Sequence, residues 1–387
     1  MFAVLLMMLP MSSAHARKGS LREALKLMRS GVAAYQEARF DEALEDLTKA
    51  LKEQPSLKTA SAFRAMVLWT TGDVAAARRD ARFALSLKPV DAESHTARGL
   101  ARFVVRRMGP AAADFIAAAK RNPKFALAYF GMGSVRSSQE KLDEALENLN
   151  RAVKLYPRGT VAYVVRGTVF DKMKQHRRSV RDYTRVLKLR KEFTWAYFYR
   201  GRAYRELKDY PRAVADFSQF LKHHANFKEA LYLRSNAYFL SGDHRRAVED
   251  LDRVIELDPG HGLAYANRGV AHSELGRKEM ALRDLRKAAA LVPSKVKKIQ
   301  AQIDAILVAA GGEPEDNPRG SFEEGVPLEP LPPERFEDRP RRVAVSPRER
   351  LADEASEDAA AAAAQEKSGR LPMDTIPIDE GDFLFIR

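Results

Sequence analysis

The chain has 387 residues, 66 Lys+Arg against 52 Asp+Glu, a net charge of +14 and no cysteine. A hydrophobic content of 45% places it among chains that bury a sizeable core rather than among wholly disordered ones. The missing thiols exclude disulfides, thiolate metal sites and a lipid-anchored cysteine behind a leader, and the basic balance favours anionic partners.

The first residues, Met1 to Ala16, are an apolar run closed by Ala14-His15-Ala16 and followed by basic Arg17 and Lys18. This reads as a secretory signal peptide with cleavage after Ala16, and so as a periplasmic or secreted protein, although a basic n-region is missing. The alternative is a cytoplasmic chain with an apolar start. The run is shorter than the roughly 20 residues that span a bilayer, and no other segment approaches that length. Ser20 and Glu23 have the spacing of a capping box that opens the first helix.

From there a mark recurs every 34 residues: Pro55, Pro89, Pro123, Pro157, then Lys191 and Ala225 in the same register, then Pro259 and Pro293. With this mark as position 32, eight units begin at Ala24, Lys58, Ala92, Ala126, Thr160, Thr194, Lys228 and Gly262. Position 8 is always small (Gly31, Ala65, Gly99, Gly133, Gly167, Gly201, Ser235, Gly269), as is position 20 (Ala43 through Ala281, with Ser179 in unit five). Position 24 is mostly large and apolar, as in Leu47, Phe115, Leu149, Tyr183, Phe217, Leu251 and Leu285. Small residues at a helix crossing let two backbones approach while the large neighbour fills the core. Apolar spacing of three and four within each half predicts two helices per unit, and the proline ends the second. Residues 17–295 therefore read as a solenoid of eight repeats and sixteen helices, in which each unit buries its apolar face against its neighbours.

Position 7 is Arg in six units (Arg64, Arg98, Arg166, Arg200, Arg234, Arg268), and position 23 is Asp in seven (Asp46, Asp80, Asp114, Asp182, Asp216, Asp250, Asp284). The pairing predicts an Arg–Asp ladder along the helix seam; whether a rung lies within a unit or between units is open at this point. Residues 296–310 carry Val296, Ile299, Ile303, Ile306 and Leu307 at helical spacing, with Lys297, Lys298 and Gln302 opposite, and read as a capping helix ended by Gly311-Gly312. Residues 311–387 change character. They hold 10 Lys+Arg and 19 Asp+Glu, so this stretch is −9 while the rest is +23, and ten of the 19 prolines lie here. That composition reads as a disordered acidic Pro/Ala-rich tail. Its Phe383-Leu384-Phe385-Ile386 follows an acidic stretch and is a candidate docking motif for this protein's own groove or another's.

With a small residue at 8, Ala at 20, an aromatic or Leu at 24 and Pro at 32 on a strict 34-residue period, the chain resembles the tetratricopeptide repeat family over residues 24–295. The resemblance implies an all-α, right-handed superhelix of helix–turn–helix units that binds an extended or helical peptide in its concave groove. In that family positions 2, 5, 9, 12 and 13 line the groove. Carried over, they nominate Trp69, Phe103, Phe130, Trp195, Phe198, Arg202, Arg205, Tyr232, Asn236 and Phe239 as a peptide-binding surface, densest from Trp195 to Phe239. The family's carboxylate clamp needs Lys, Asn and Arg at positions 2 and 6 of successive units. Only Arg29 and Asn267 qualify at position 6, in the first and last units, so the clamp is absent.

No sequence pattern points to chemistry. The eight histidines form no H-E-x-x-H, Gly131-Met132-Gly133 lacks a third glycine and a preceding strand, and neither G-x-S-x-G nor a P-loop occurs. The expectation is a non-enzymatic scaffold with no cofactor and no metal, whose partner is a peptide segment of another protein. Its acidic tail is a candidate intramolecular competitor, effective at roughly millimolar concentration. Alternatives are a basic solenoid that binds an anionic polymer or lipid surface, and an accessory subunit that holds a catalytic partner. No nucleic-acid fold or residue code is evident.

Overall fold

The computed structural model describes residues 9–309; the predicted tail and the first eight residues lie outside that range. Among the described residues the regular structure is all helix, in two compact units. The first contains α1 (Leu9–Gln36), α2 (Phe40–Glu53), α3 (Lys58–Thr71), α4 (Val74–Ala84), α5 (Ala92–Val104), α6 (Met108–Arg121), α7 (Ala126–Ser138), α8 (Leu142–Leu155), α9 (Thr160–Lys172) and α10 (His176–Leu189). The second contains α11 (Trp195–Glu206), α12 (Tyr210–Leu221), α13 (Lys228–Leu240), α14 (His244–Leu257), α15 (Gly262–Glu274), α16 (Lys278–Leu291), a 3₁₀ turn (Pro293–Lys295) and α17 (Val296–Ala309). Each 34-residue repeat is one helix pair, A then B, and α17 packs on α15 and α16. No described helix is long and apolar enough to cross a membrane.

The two helices of a repeat have different burial for a physical reason. A B helix such as α14 buries Ala247, Asp250, Leu251 and Val254 on one stripe and turns Arg245, Arg246, Glu249 and Arg253 outward. An A helix such as α13 is wedged between its own B helix and the B helix before it, so Ala230, Leu231, Tyr232, Leu233, Ser235, Asn236 and Ala237 are all buried. Position 15, at the turn between A and B, adopts positive φ in all eight repeats. Glycine fills it at Gly72, Gly242 and Gly276, whereas Ala38, Arg106, Glu140, Lys174 and Lys208 bear the strain of a side chain there.

The small-residue rule at position 8 has a direct cause. Phe115, fully buried, lies between Gly99 of its own repeat and Gly131 of the next; a Cβ would meet its ring at 2.7 Å and 2.4 Å respectively. Gly131-Met132-Gly133 is thus a packing element.

The Arg–Asp ladder forms in all six repeats that carry both residues, and each rung lies within one repeat. Nε and Nη2 of Arg64, Arg98, Arg166, Arg200, Arg234 and Arg268 donate in parallel to the two carboxylate oxygens of the Asp 16 residues later, at 2.6–3.0 Å. In Arg166, Arg234 and Arg268 the remaining nitrogen, Nη1, ties in the preceding B helix, whereas in Arg98 it donates to the Leu87 carbonyl beyond α4 at 3.2 Å. Arg166 reaches Asn150 at 2.9 Å, Arg234 reaches Ser218 at 3.0 Å and Arg268 reaches Asp252 at 2.7 Å. Each such guanidinium therefore joins three helices. Rings at positions 4 and 11 flank two of the ladder arginines, Tyr163 and Phe170 beside Arg166 at 5.3 and 5.8 Å and Tyr197 and Tyr204 beside Arg200 at 5.7 and 5.8 Å. Burial lifts the Asp182, Asp216 and Asp250 carboxyls above the usual range despite the opposing Arg.

Two local expectations are corrected. Helix α1 starts at Leu9, so Ser20 lies inside it and forms no capping box; its hydroxyl donates instead to the Glu53 carbonyl at 2.8 Å. A capping box does form at α5, where Asp91 and Ser94 cap one another. On α17, Gln302 is buried rather than outward, because it shares the packed face with Ile299, Ile303 and Ile306.

Candidate functional site

The inner face of the A helices is the surface the repeat pattern nominates for binding, and the structure places its ten candidates unequally. Phe103, Phe130, Phe198, Tyr232 and Asn236 are buried, which corrects their assignment as contact residues: they pack between helices. Trp69, Trp195, Arg202, Arg205 and Phe239 are half-buried. In the second unit Trp195 sits in a ring cluster with Phe198, Phe220 and Phe227 at centroid distances of 5.8, 5.1 and 5.5 Å, and His224 stacks on Phe220 at 4.4 Å. Tyr232 and Asn236 are held by Asn267, whose amide donates to the tyrosine hydroxyl and to the Asn236 oxygen, both at 2.9 Å. The densest aromatic stretch of the sequence is therefore largely consumed by its own packing.

In the first unit the cause is different. Repeat one reaches across to repeats four and five. Tyr35 of α1 packs edge-on against Phe130 at 6.4 Å, and Phe40 of α2 packs against Phe193 at 6.2 Å. Beside them the Tyr156 hydroxyl donates to Glu37 at 2.8 Å, with Arg39 and Arg158 at 3.3 and 3.7 Å from the same carboxylate. Burial, reinforced by Glu37, pushes the Tyr156 hydroxyl up to about 12. This clasp fills the inner space around Phe130 and leaves beside it a void of only about 10 Å³.

A cleft of about 700 Å³ lies between the inner face of α1 and the start of α5 with the α6–α7 turn. Val32 and Ala33 of α1, Ala92 and Phe125 form its apolar part, and Val90 stands 72% exposed at its edge. Arg29 and Arg121 bring positive charge, while Asp91 and Glu93 bring negative charge. Arg29 lies 3.9 Å from Glu93, whose carboxyl is raised by burial against the pull of that arginine. Arg121 donates to the Val90 carbonyl at 2.5 Å and so holds the rim. The Asp91–Ser94 capping box fixes the backbone that presents Glu93. Among these residues the repeat pattern singled out only Arg29, and only as a member of an absent clamp. The missed signal is position 9 of the first unit, Val32, which is apolar with small Ala33 beside it.

A family model for the tetratricopeptide repeat matches residues 28–92, 96–160, 164–229, 198–262 and 232–295, which is well over half of the chain. The chain is a tetratricopeptide repeat protein. Its helix-pair architecture is that of a protein-interaction scaffold. Over 87 residues it is 38% identical to the TPR repeat-containing thioredoxin TDX of Arabidopsis thaliana, a match that spans 22% of this chain and 23% of that protein. With no cysteine, this chain has no thiol for thioredoxin-type exchange. Among solved structures, a chain of the APC/C hetero-tetramer Cut9–Hcn1 is similar at a TM-score of 0.56 and 15% identity, over 73% of this chain and 55% of that one, which shows the fold. YrrB, described as a TPR protein with an unusual peptide-binding site, aligns at a TM-score of 0.46 and 24% identity, over 49% of this chain and 98% of that one.

Proposed function

We propose that this tetratricopeptide repeat protein binds an extended peptide in the cleft between α1 and α5. The observation that carries the reading is the cleft itself. It is about 700 Å³ of open space against α1, lined by apolar residues and by two arginines, beside the inner space that the clasp fills. Its size falls in the range of sites that take a few side chains. An apolar base under paired Arg29 and Arg121 suits a peptide with two neighbouring apolar side chains next to a carboxylate. A displayed peptide library selected on the full chain tests this reading. Selected peptides should carry that pattern and lose at least roughly tenfold in affinity with Arg29→Glu/Arg121→Glu, about 1.4 kcal/mol or more. Indifference to both substitutions, with Arg253→Glu as a surface control, refutes the reading.

A second surface supports the polyanion alternative. Arg277, Lys278, Arg283 and Lys287 on or beside α16, with Lys297 and Lys298 on α17, are all exposed. Binding of an anionic polymer there should fall steeply as salt rises, whereas the cleft peptide should respond weakly. Export through the Met1–Ala16 leader is part of the proposal, and cell fractionation with N-terminal sequencing of the mature chain tests it: an intact Met1 on cytoplasmic protein rules it out.

A further inference from the structure

We infer that the occupant of the α1–α5 cleft is the chain's own segment Asp379–Arg387, so that the protein carries an internal competitor for its binding site. The inference rests on the cleft reading above and names the ligand. The cleft offers an apolar base (Val32, Ala33, Phe125) flanked by cations (Arg29, Arg121) and, at the start of α5, by anions (Asp91, Glu93). The segment reads Asp379-Glu380-Gly381-Asp382-Phe383-Leu384-Phe385-Ile386-Arg387: acids, then four apolar residues, then a cation. In an extended peptide alternate side chains share a face, so Phe383 and Phe385 present two rings to one surface. The acids before them match Arg29 and Arg121, and Arg387 after them matches Glu93 and Asp91.

Other parts of residues 310–387 fit less well. Val326-Pro327-Leu328 and Leu371-Pro372-Met373 are interrupted by proline, Val343-Ala344-Val345 is flanked by arginines upstream, and Phe322 and Phe336 stand alone. No other stretch there places aromatic residues two apart. Flanking arginines would meet Arg29 and Arg121 with like charge, which disfavours the Val343 stretch further. A covalently tethered motif acts at roughly millimolar effective concentration, so even weak docking occupies the cleft until a tighter external peptide displaces it.

The test uses the full chain and a labelled peptide of residues 377–387. Fluorescence anisotropy compares binding to the wild-type chain and to Phe383→Ala/Phe385→Ala, whose own segment can no longer compete. The variant should bind the peptide at least roughly tenfold more tightly, and adding Arg29→Glu/Arg121→Glu should abolish the gain. Hydrogen exchange supplies a second readout: amides of residues 90–93, 121, 122, 124 and 125 should exchange faster in Phe383→Ala/Phe385→Ala than in wild type, at equal circular dichroism. Equal affinity for both chains with unchanged exchange overturns the inference, as does binding that ignores Arg29 and Arg121. A wild-type dimer that the Phe383→Ala/Phe385→Ala change converts to monomer also overturns it, because the segment then docks on a second copy. If library-selected peptides bind the cleft equally well in both chains, the cleft reading stands and the tail assignment alone falls. If no peptide depends on Arg29 and Arg121, both fall.

Discussion

Replacing Arg234 by Met isolates what a rung of the ladder contributes. Arg234 donates to Asp250 through Nε at 2.8 Å and Nη2 at 2.7 Å, and through Nη1 to Ser218 at 3.0 Å. The Asp250 side chain is only 8% exposed, so water cannot replace the lost donors. Removing one partner of a buried pair leaves an uncompensated charge, at a typical cost of about 3–5 kcal/mol. The Ser218 bond adds roughly 1 kcal/mol or less, since its neighbourhood is partly wet. The double substitution Arg234→Met/Asp250→Leu removes both charges and leaves apolar groups of similar volume, so it should lie within about 1 kcal/mol of the parent. Urea titration in a Trp69→Phe background reads this cleanly, because Trp195, in the same unit as the rung, is then the one remaining tryptophan of the two. A loss below about 1 kcal/mol for Arg234→Met would show the rung to be an ordinary surface pair and refute the buried-pair argument.

Three further outcomes follow from the same geometry. Burial raises the Asp250 carboxyl above its usual 3.8, so the folded state holds that proton more tightly than the unfolded chain. Its contribution is complete below the unfolded value and lost as pH rises through the raised one. The stability difference between the parent and Asp250→Asn should move in favour of the parent from about pH 7 to about pH 4, and a shift the other way in paired urea titrations contradicts the assignment. Lys208, at positive φ, should gain about 0.5–1 kcal/mol on change to Gly, measured as a higher urea midpoint with unchanged slope. Gly131→Ala drives a methyl to 2.4 Å from the Phe115 ring and should cost about 1–3 kcal/mol, with Gly131→Ala/Phe115→Leu recovering part of it; a neutral Gly131→Ala would mean the ring moves aside without penalty.

The sixteen paired helices and the ladder were legible because each rests on a residue type that recurs at a fixed interval for a local reason. The small residue at position 8 and Arg at position 7 answer to contacts within one repeat, and the proline at position 32 follows the end of helix B. The left-handed position 15 was not legible, because glycine occupies it in only three of eight repeats. The candidate site was the least legible. The position rule for the groove nominates side chains by their place on helix A, but it carries no information on what stands opposite them. Phe103 and Phe130 satisfy the rule and are buried, and Phe130 is covered by Tyr35 of a repeat three units away. The cleft itself combines α1 with the turns before α5 and α7, segments far apart in sequence, so no single repeat displays it.

The Tyr156–Glu37 bond also bears on how the first unit folds. In a one-dimensional array each repeat stabilises only its neighbours, folding starts anywhere, and the ends fray first. A hydrogen bond between residues 119 apart, with the Phe40–Phe193 contact beside it, breaks that rule for repeats one to five. Closing so long a loop costs entropy before the contact returns any stability, so these repeats should assemble more slowly than a purely local array. Once closed, they gain an end that cannot fray alone: loosening repeat one releases repeats four and five with it, and the first unit unzips as a block instead of from its tip.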